Sequence, residues 1–118
     1  MPGLFKFPHA EHFRKGAEYR FVFEHGEKLV GRHFVCHVVR REETGCKLGL
    51  AVSRKVGNAV VRNRVKRYLR EFYRTHRHRF TGSVYLVVVA RPASAGLSFQ
   101  ECVDAMVQLL RRGGVLDG

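Results

Sequence analysis

The sequence predicts an α+β fold, a two-layer sandwich in which helices cover one mixed sheet, and three observations predict it. Residues 15–25 and 58–77 carry apolar side chains at helical spacing, and 98–112 do so behind a capping signal. Two β-branched runs, 32–41 and 49–53, precede the long helix, and an uninterrupted apolar run, 84–90, follows it. Without internal repeats or low-complexity tracts, these elements give the order α-β-β-(β)-α-β-α around a single sheet.

The first helix, 15–25, is amphipathic, ends at Gly26, and carries Tyr19 and Phe23 one turn apart. Residues 27–31 suit a short edge strand. The runs 32–41 (RHFVCHVVRR) and 49–53 (GLAVS) flank Glu42-Glu43-Thr44-Gly45, which has turn chemistry, so the pair reads as a hairpin. In 58–77, Val61, Val65, Tyr68, Leu69 and Phe72 fall within an arc of about 100° at 100° per residue, a core-facing stripe. Arg62, Asn63, Lys66, Arg67, Arg70, Arg74 and Arg77 fall opposite it. Asn58 is the expected N-cap, its side-chain oxygen accepting from the first turn, with Gly57 as the permissive residue leading into it. The run 84–90 (VYLVVVA) is too continuous for a strand with one wet face and suits a strand covered on both sides; Arg91-Pro92 ends it. Ser98 and Glu101 form a capping box for the last helix, whose Val103, Met106, Val107 and Leu110 share one side. The 118 residues read as one domain, with about the first 12 and the last 5 loosely ordered.

Charge concentrates in one place. The chain has 22 Lys and Arg against 10 Asp and Glu, a formal net charge of +12. Between Arg54 and Arg79 stand ten Lys and Arg (54, 55, 62, 64, 66, 67, 70, 74, 77, 79) and one acid, Glu71, so this segment alone carries +9. Like charges on one helix repel unless something neutralises them, which favours an anionic partner over a merely solvated face. Arginine outnumbers lysine eight to two in the segment, and guanidinium groups bind phosphate in a bidentate manner and stack on bases, as an RNA-type surface requires. Tyr19, Phe23 and Phe34 are the aromatic candidates for stacking unpaired bases beside this basic track; for Phe34, ordinary core packing is an equal alternative.

Other chemistries find little material. Cys36, Cys46 and Cys102 lack zinc-ligand spacing; Cys36 and Cys46 could face each other across the hairpin, but buried reduced thiols are the default reading. The seven histidines are scattered without a metal or paired-carboxylate signature, and His76 and His78 beside Arg77 read better as phosphate contacts than as a phosphodiesterase site. No stretch approaches the roughly 20 apolar residues of a membrane helix, nor is there an apolar signal-peptide core, so a cytoplasmic location without a membrane partner is expected.

Residues 49–74, GLAVSRKVGNAVVRNRVKRYLREFYR, narrow the reading further. Lys55, Gly57, Ala59, Val60, Arg62, Asn63, Lys66 and Arg67, followed by Arg70, resemble at every position the core motif of the protein subunit of bacterial ribonuclease P. Phe23-Glu24-His25-Gly26 with Gly31-Arg32-His33-Phe34-Val35 resembles that family's first helix and strand, and Ala90-Arg91-Pro92-Ala93-Ser94 the turn before its last helix, so the likeness spans about residues 15–112. The resemblance implies a protein without a nucleophile that assists a catalytic RNA, whose bound Mg²⁺ cleaves the 5′ leader from precursor tRNA, and no small-molecule substrate. It implies that Arg54, Lys55, Arg62, Asn63, Arg64, Lys66, Arg67, Arg70 and Arg74 meet the catalytic RNA. It also implies a leader cleft between the first helix and the sheet, with Tyr19, Phe23 and Phe34 as its floor and Asn58 at its edge. The resemblance places His37 in the same cleft, at a position where the family often has an aromatic residue and where imidazole can still stack or donate to phosphate. The resemblance further implies a left-handed crossover through 49–53, the basic helix and 84–90, where the general rule expects a right-handed one. A structural, ribosomal-type RNA binder with no substrate is the competing reading.

Overall fold

A computed structural model describes residues 16–42 and 45–116. They form α1 (Gly16–His25), β1 (Glu27–Val30), β2 (Phe34–Arg41), β3 (Lys47–Ala51), α2 (Ala59–His76), β4 (Ser83–Ala90) and α3 (Phe99–Arg112), with 3-10 turns at Arg77–Arg79 and Pro92–Gly96. The strands make one mixed sheet in the order β1-β2-β4-β3. β1 and β4 both pair antiparallel to β2, and β3 pairs parallel to β4.

The continuous apolar run thus becomes β4, an inner strand covered on both faces. Val84, Leu86, Val88 and Ala90 join the main core with Phe34, Cys36 and Val38 of β2, Leu48 of β3, and the buried sides of α2 and α3. Val87, one residue out of phase, lies on the other face against Val22 of α1. α2 and α3 therefore cover one face of the sheet and α1 the other, the alternation that a period of two imposes on a strand. Gly26 lets α1 turn tightly into β1: a Cβ there would stand 2.5 Å from the Val22 carbonyl oxygen and 3.2 Å from the Val38 backbone.

The hairpin expected of residues 32–41 and 49–53 does not form. β4 lies between β2 and β3, and the hairpin partner of β2 is β1. β2 and β3 do run in opposite directions, being antiparallel and parallel to β4, but turn chemistry between two strands does not dictate which strand lies alongside. A strand buried on both faces must have its backbone N–H and C=O groups paired on both edges, so β4 takes the inner position and β3 becomes an edge. Cys36 accordingly sits opposite Val88, not Cys46, and no disulfide joins the three cysteines. Burial pushes the thiols of Cys36 and Cys102 up to about 12.

The last helix keeps its capping box, with Ser98 Oγ accepting from the Glu101 N–H and Glu101 from the Ser98 N–H. Beyond it Val115 and Leu116 are buried, and Thr81 N–H donates to the Val115 carbonyl at 2.8 Å, so these two are packed where looseness was expected, while the first 12 residues and 117–118 lie outside the described residues. Arg40 ties this segment to the sheet by donating to the carbonyls of Thr81 and Gly114. Among the described residues no helix is long and apolar enough to cross a membrane.

Candidate nucleic-acid interface

α2 positions the cationic segment. Asn58 caps it as expected, its Oδ1 accepting from the Val61 N–H at 3.0 Å. Gly57 matters for space rather than for a left-handed backbone, because a Cβ there would come within 2.9 Å of Val61. Val65, Leu69, Phe72 and Tyr73 are buried. Tyr73 widens the buried side beyond the expected stripe, and Val61 and Tyr68 are only half-buried at its border. This rotates the outward face. Asn63, Arg67 and Arg70 are exposed, with Arg74 continuing the row, whereas Arg62 and Lys66 lie half-buried on the Tyr73 flank. Arg62 packs its stem down far enough that its Nε is buried without a hydrogen-bond partner.

The expected cations therefore have different roles. Arg64 donates to the Ala95 carbonyl at 2.8 Å and fastens α2 to the turn before α3. Arg74 is ion-paired with Glu71, and its hydrogen bonds hold the Glu71 carboxyl below its ordinary range. Arg54 and Lys55 are exposed in the connection leading to α2. Val60, 72% exposed, stands one turn before Asn63 and Arg64, an apolar spot at the head of the column.

The α1 face is different in kind. Phe23, 42% exposed, meets His37 of β2 edge-on, ring centroids 4.7 Å apart. Tyr19 is half-buried against the small cluster of Val22 and Val87. Burial lowers the His37 pKa, and the charge of Lys28 lowers it further, so the imidazole is neutral near pH 7 and offers a ring rather than a cation. Phe34 does not belong here. It is 1% exposed on the opposite face of the sheet, in the main core, because residues 34, 36 and 38 alternate away from 35, 37 and 39. Asn58 stands at the head of α2 with its side-chain oxygen committed to the cap. The expected floor thus loses Phe34 and keeps Tyr19 and Phe23, with His37 beside Phe23.

Known proteins share this arrangement. The family model for ribonuclease P matches residues 7–114. The chain belongs to the ribonuclease P protein family. It is 38% identical over 103 residues to the ribonuclease P protein component of Exiguobacterium sibiricum, covering 86% of this chain and 89% of that one. It is 40% identical over 109 residues to that of Desulfovibrio desulfuricans, covering 89% and 84%. The ribonuclease P protein structure from Staphylococcus aureus superposes with a TM-score of 0.83 at 26% identity, covering 91% of this chain and 98% of that one. That from Thermotoga maritima gives 0.78 at 26%, covering 92% and 99%. Membership of the ribonuclease P family makes the chain a subunit of that enzyme, active in tRNA processing and in company with an RNA. Among the described residues no group of three or more His, Cys, Asp or Glu side chains that could hold a metal ion comes together.

Proposed function

We propose that the chain is the RNA-binding subunit that docks on the catalytic RNA of ribonuclease P and guides the 5′ leader of precursor tRNA to it. The observation that carries this reading is the outward row Asn63, Arg67 and Arg70, which the folded body leaves exposed and whose neighbouring carboxylate on the helix, Glu71, is already engaged by Arg74. Guanidinium groups fixed on one helix face lay down positive charge at a spacing a phosphate backbone can follow, and releasing its counterions drives binding. Arg54 and Lys55 extend the row past the N-terminus of α2, and Arg62 and Lys66 border it.

On the other side of the sheet, Tyr19, Phe23 and neutral His37 offer apolar ring surface suited to unstacked bases of a single-stranded leader. One body would then bring two polyanions together: the row neutralises the catalytic RNA, and the rings hold the leader without adding charge. The protein binds and orients; hydrolysis, with its Mg²⁺, is assigned to the RNA, and no step of it is routed through a side chain of this protein. The cytoplasm, where precursor tRNA is made, is the expected location.

The test is reconstitution with the cognate RNA at low Mg²⁺, comparing substrates with and without a leader. The expected result is a larger gain in cleavage for the leader-bearing substrate. Equal gain for both, or cleavage by the protein without RNA, overturns the reading.

A further inference from the structure

One aromatic pair lies outside both surfaces described so far. Phe99 opens α3 and is 36% exposed, and Tyr68 faces it from the flank of α2, ring centroids 5.6 Å apart with their planes at 63°. The Arg67 guanidinium lies 5.6 Å from the centre of the Tyr68 ring. Arg67, Tyr68, Glu71 and Phe99 line a shallow recess of about 230 Å³ at the seam of the two helices.

Helix construction does not account for Phe99. The start of α3 is fixed by Ser98 and Glu101, which exchange hydrogen bonds of 3.1 and 2.9 Å, and Leu97 makes the apolar contact with the core there. Phe99 itself stays out of that core. A single exposed apolar residue needs no explanation, but this one shares a recess with a second ring and with a guanidinium of the outward row. Ring surface beside a phosphate-binding cation is what an unstacked base with its own phosphate requires.

We propose that Phe99 and Tyr68 form a stacking seat for one unpaired base of the catalytic RNA. The proposal rests on the reading of α2 as the docking helix for that RNA. It assigns the base to the catalytic RNA rather than to the leader, because the recess adjoins Arg67 on the α2 and α3 side of the sheet, whereas Phe23 and His37 lie on the α1 side. Glu71, kept ionised by Arg74, stands at the rim as an acceptor for a base amino group.

The experiment measures binding of the whole protein to its cognate catalytic RNA across a salt series, with chemical footprinting of that RNA and of a leader-bearing precursor tRNA bound alongside it, for Phe99→Ala, Phe99→Leu, Phe99→Tyr and, as a control, Arg67→Ala with Arg70→Ala. Stacking predicts that the Ala and Leu variants bind about 5- to 150-fold more weakly with an unchanged salt slope. It also predicts that Tyr retains affinity and that one catalytic-RNA nucleotide loses protection in the Ala variant. Wild-type affinity for Phe99→Ala, full rescue by Leu, or a lost protection that maps to the leader overturns the proposal. Thermal melting identifies any variant that fails to fold, and Leu against Tyr then decides. Should Phe99→Ala bind normally while the double Arg variant does not, only the seat is lost; should both bind normally, the docking reading of α2 goes with it.

Discussion

The two faces of the sheet differ in kind, one cationic and one lined by rings, and on the proposed reading they bind by different physics. The outer side of α2 presents Asn63, Arg67 and Arg70 to solvent, a surface whose attraction falls steeply as salt rises. The α1 side presents Phe23 against His37 with Tyr19 behind, a surface whose attraction comes from ring contact and barely responds to salt. On the proposed reading the protein holds two polyanions and gains from this division: a second cationic face would compete for the same RNA, whereas a ring-lined one would select for unpaired bases. Salt dependence and leader dependence should therefore separate by mutation.

The sharpest separation, and the largest effect, comes from Arg67→Ala combined with Arg70→Ala. Each lost charge-assisted contact costs about 1.5–3 kcal/mol of RNA affinity, and the salt slope should fall by about 2 in a log–log plot; an unchanged slope breaks the comparison at its cationic end. Phe34→Ala tests the correction to the cleft. It should destabilise the fold by about 3–5 kcal/mol, as truncating a core aromatic does, while leaving the preference for leader-bearing substrate intact in the molecules that remain folded. Phe23→Ala should do the reverse: it weakens leader-bearing substrate by about 1–3 kcal/mol relative to mature tRNA, with little change in salt slope or melting temperature.

The smallest effect is a pH dependence. The pKa of His37 is lowered from 6.5 by burial and by Lys28, and that of His76 from 6.5 chiefly by burial, with the charges of Arg79 and His78 adding to it against a backbone hydrogen bond to Phe72. A histidine with a depressed folded pKa binds fewer protons folded than unfolded, so its contribution to stability is complete above pH 6.5 and declines as pH falls through that value. The melting temperature should drop on acidification through this range, and His37→Gln should flatten the decline. A profile that His37→Gln leaves unaltered would remove His37 from the partly desolvated α1 face.

Much of this architecture could be read locally. The cap at Asn58, the box of Ser98 and Glu101, and the buried run at 84–90 are each encoded within a few residues, and the structure has all of them. What the sequence left open was set by contacts between distant elements. Strand order was one such case, because turn residues at 42–45 say nothing about a β4 that appears 40 residues later. The facing of Phe34 was another. Residues 34, 36 and 38 (Phe, Cys, Val) and 35, 37 and 39 (Val, His, Val) are both apolar enough to lie against a helix, and only the weight of α2 and α3 on one face decides between them. Tyr73 is the third: its ring is buried although the expected stripe did not include it, and that one placement takes Arg62 and Lys66 out of the outward row and leaves Asn63, Arg67 and Arg70. The recess at Tyr68 and Phe99 joins residues 31 apart in sequence and leaves no local signature.

That β4 is the last strand to be synthesised and yet an inner one has a consequence for biogenesis. A nascent chain halted before Ser83 can form only the β1–β2 ribbon; β3 has no neighbour to pair with, and the greasy side of α2 has no sheet to rest on. Such a fragment would be a client for chaperones rather than a partner for RNA. A product truncated before β4 therefore has little chance of standing in for the folded subunit.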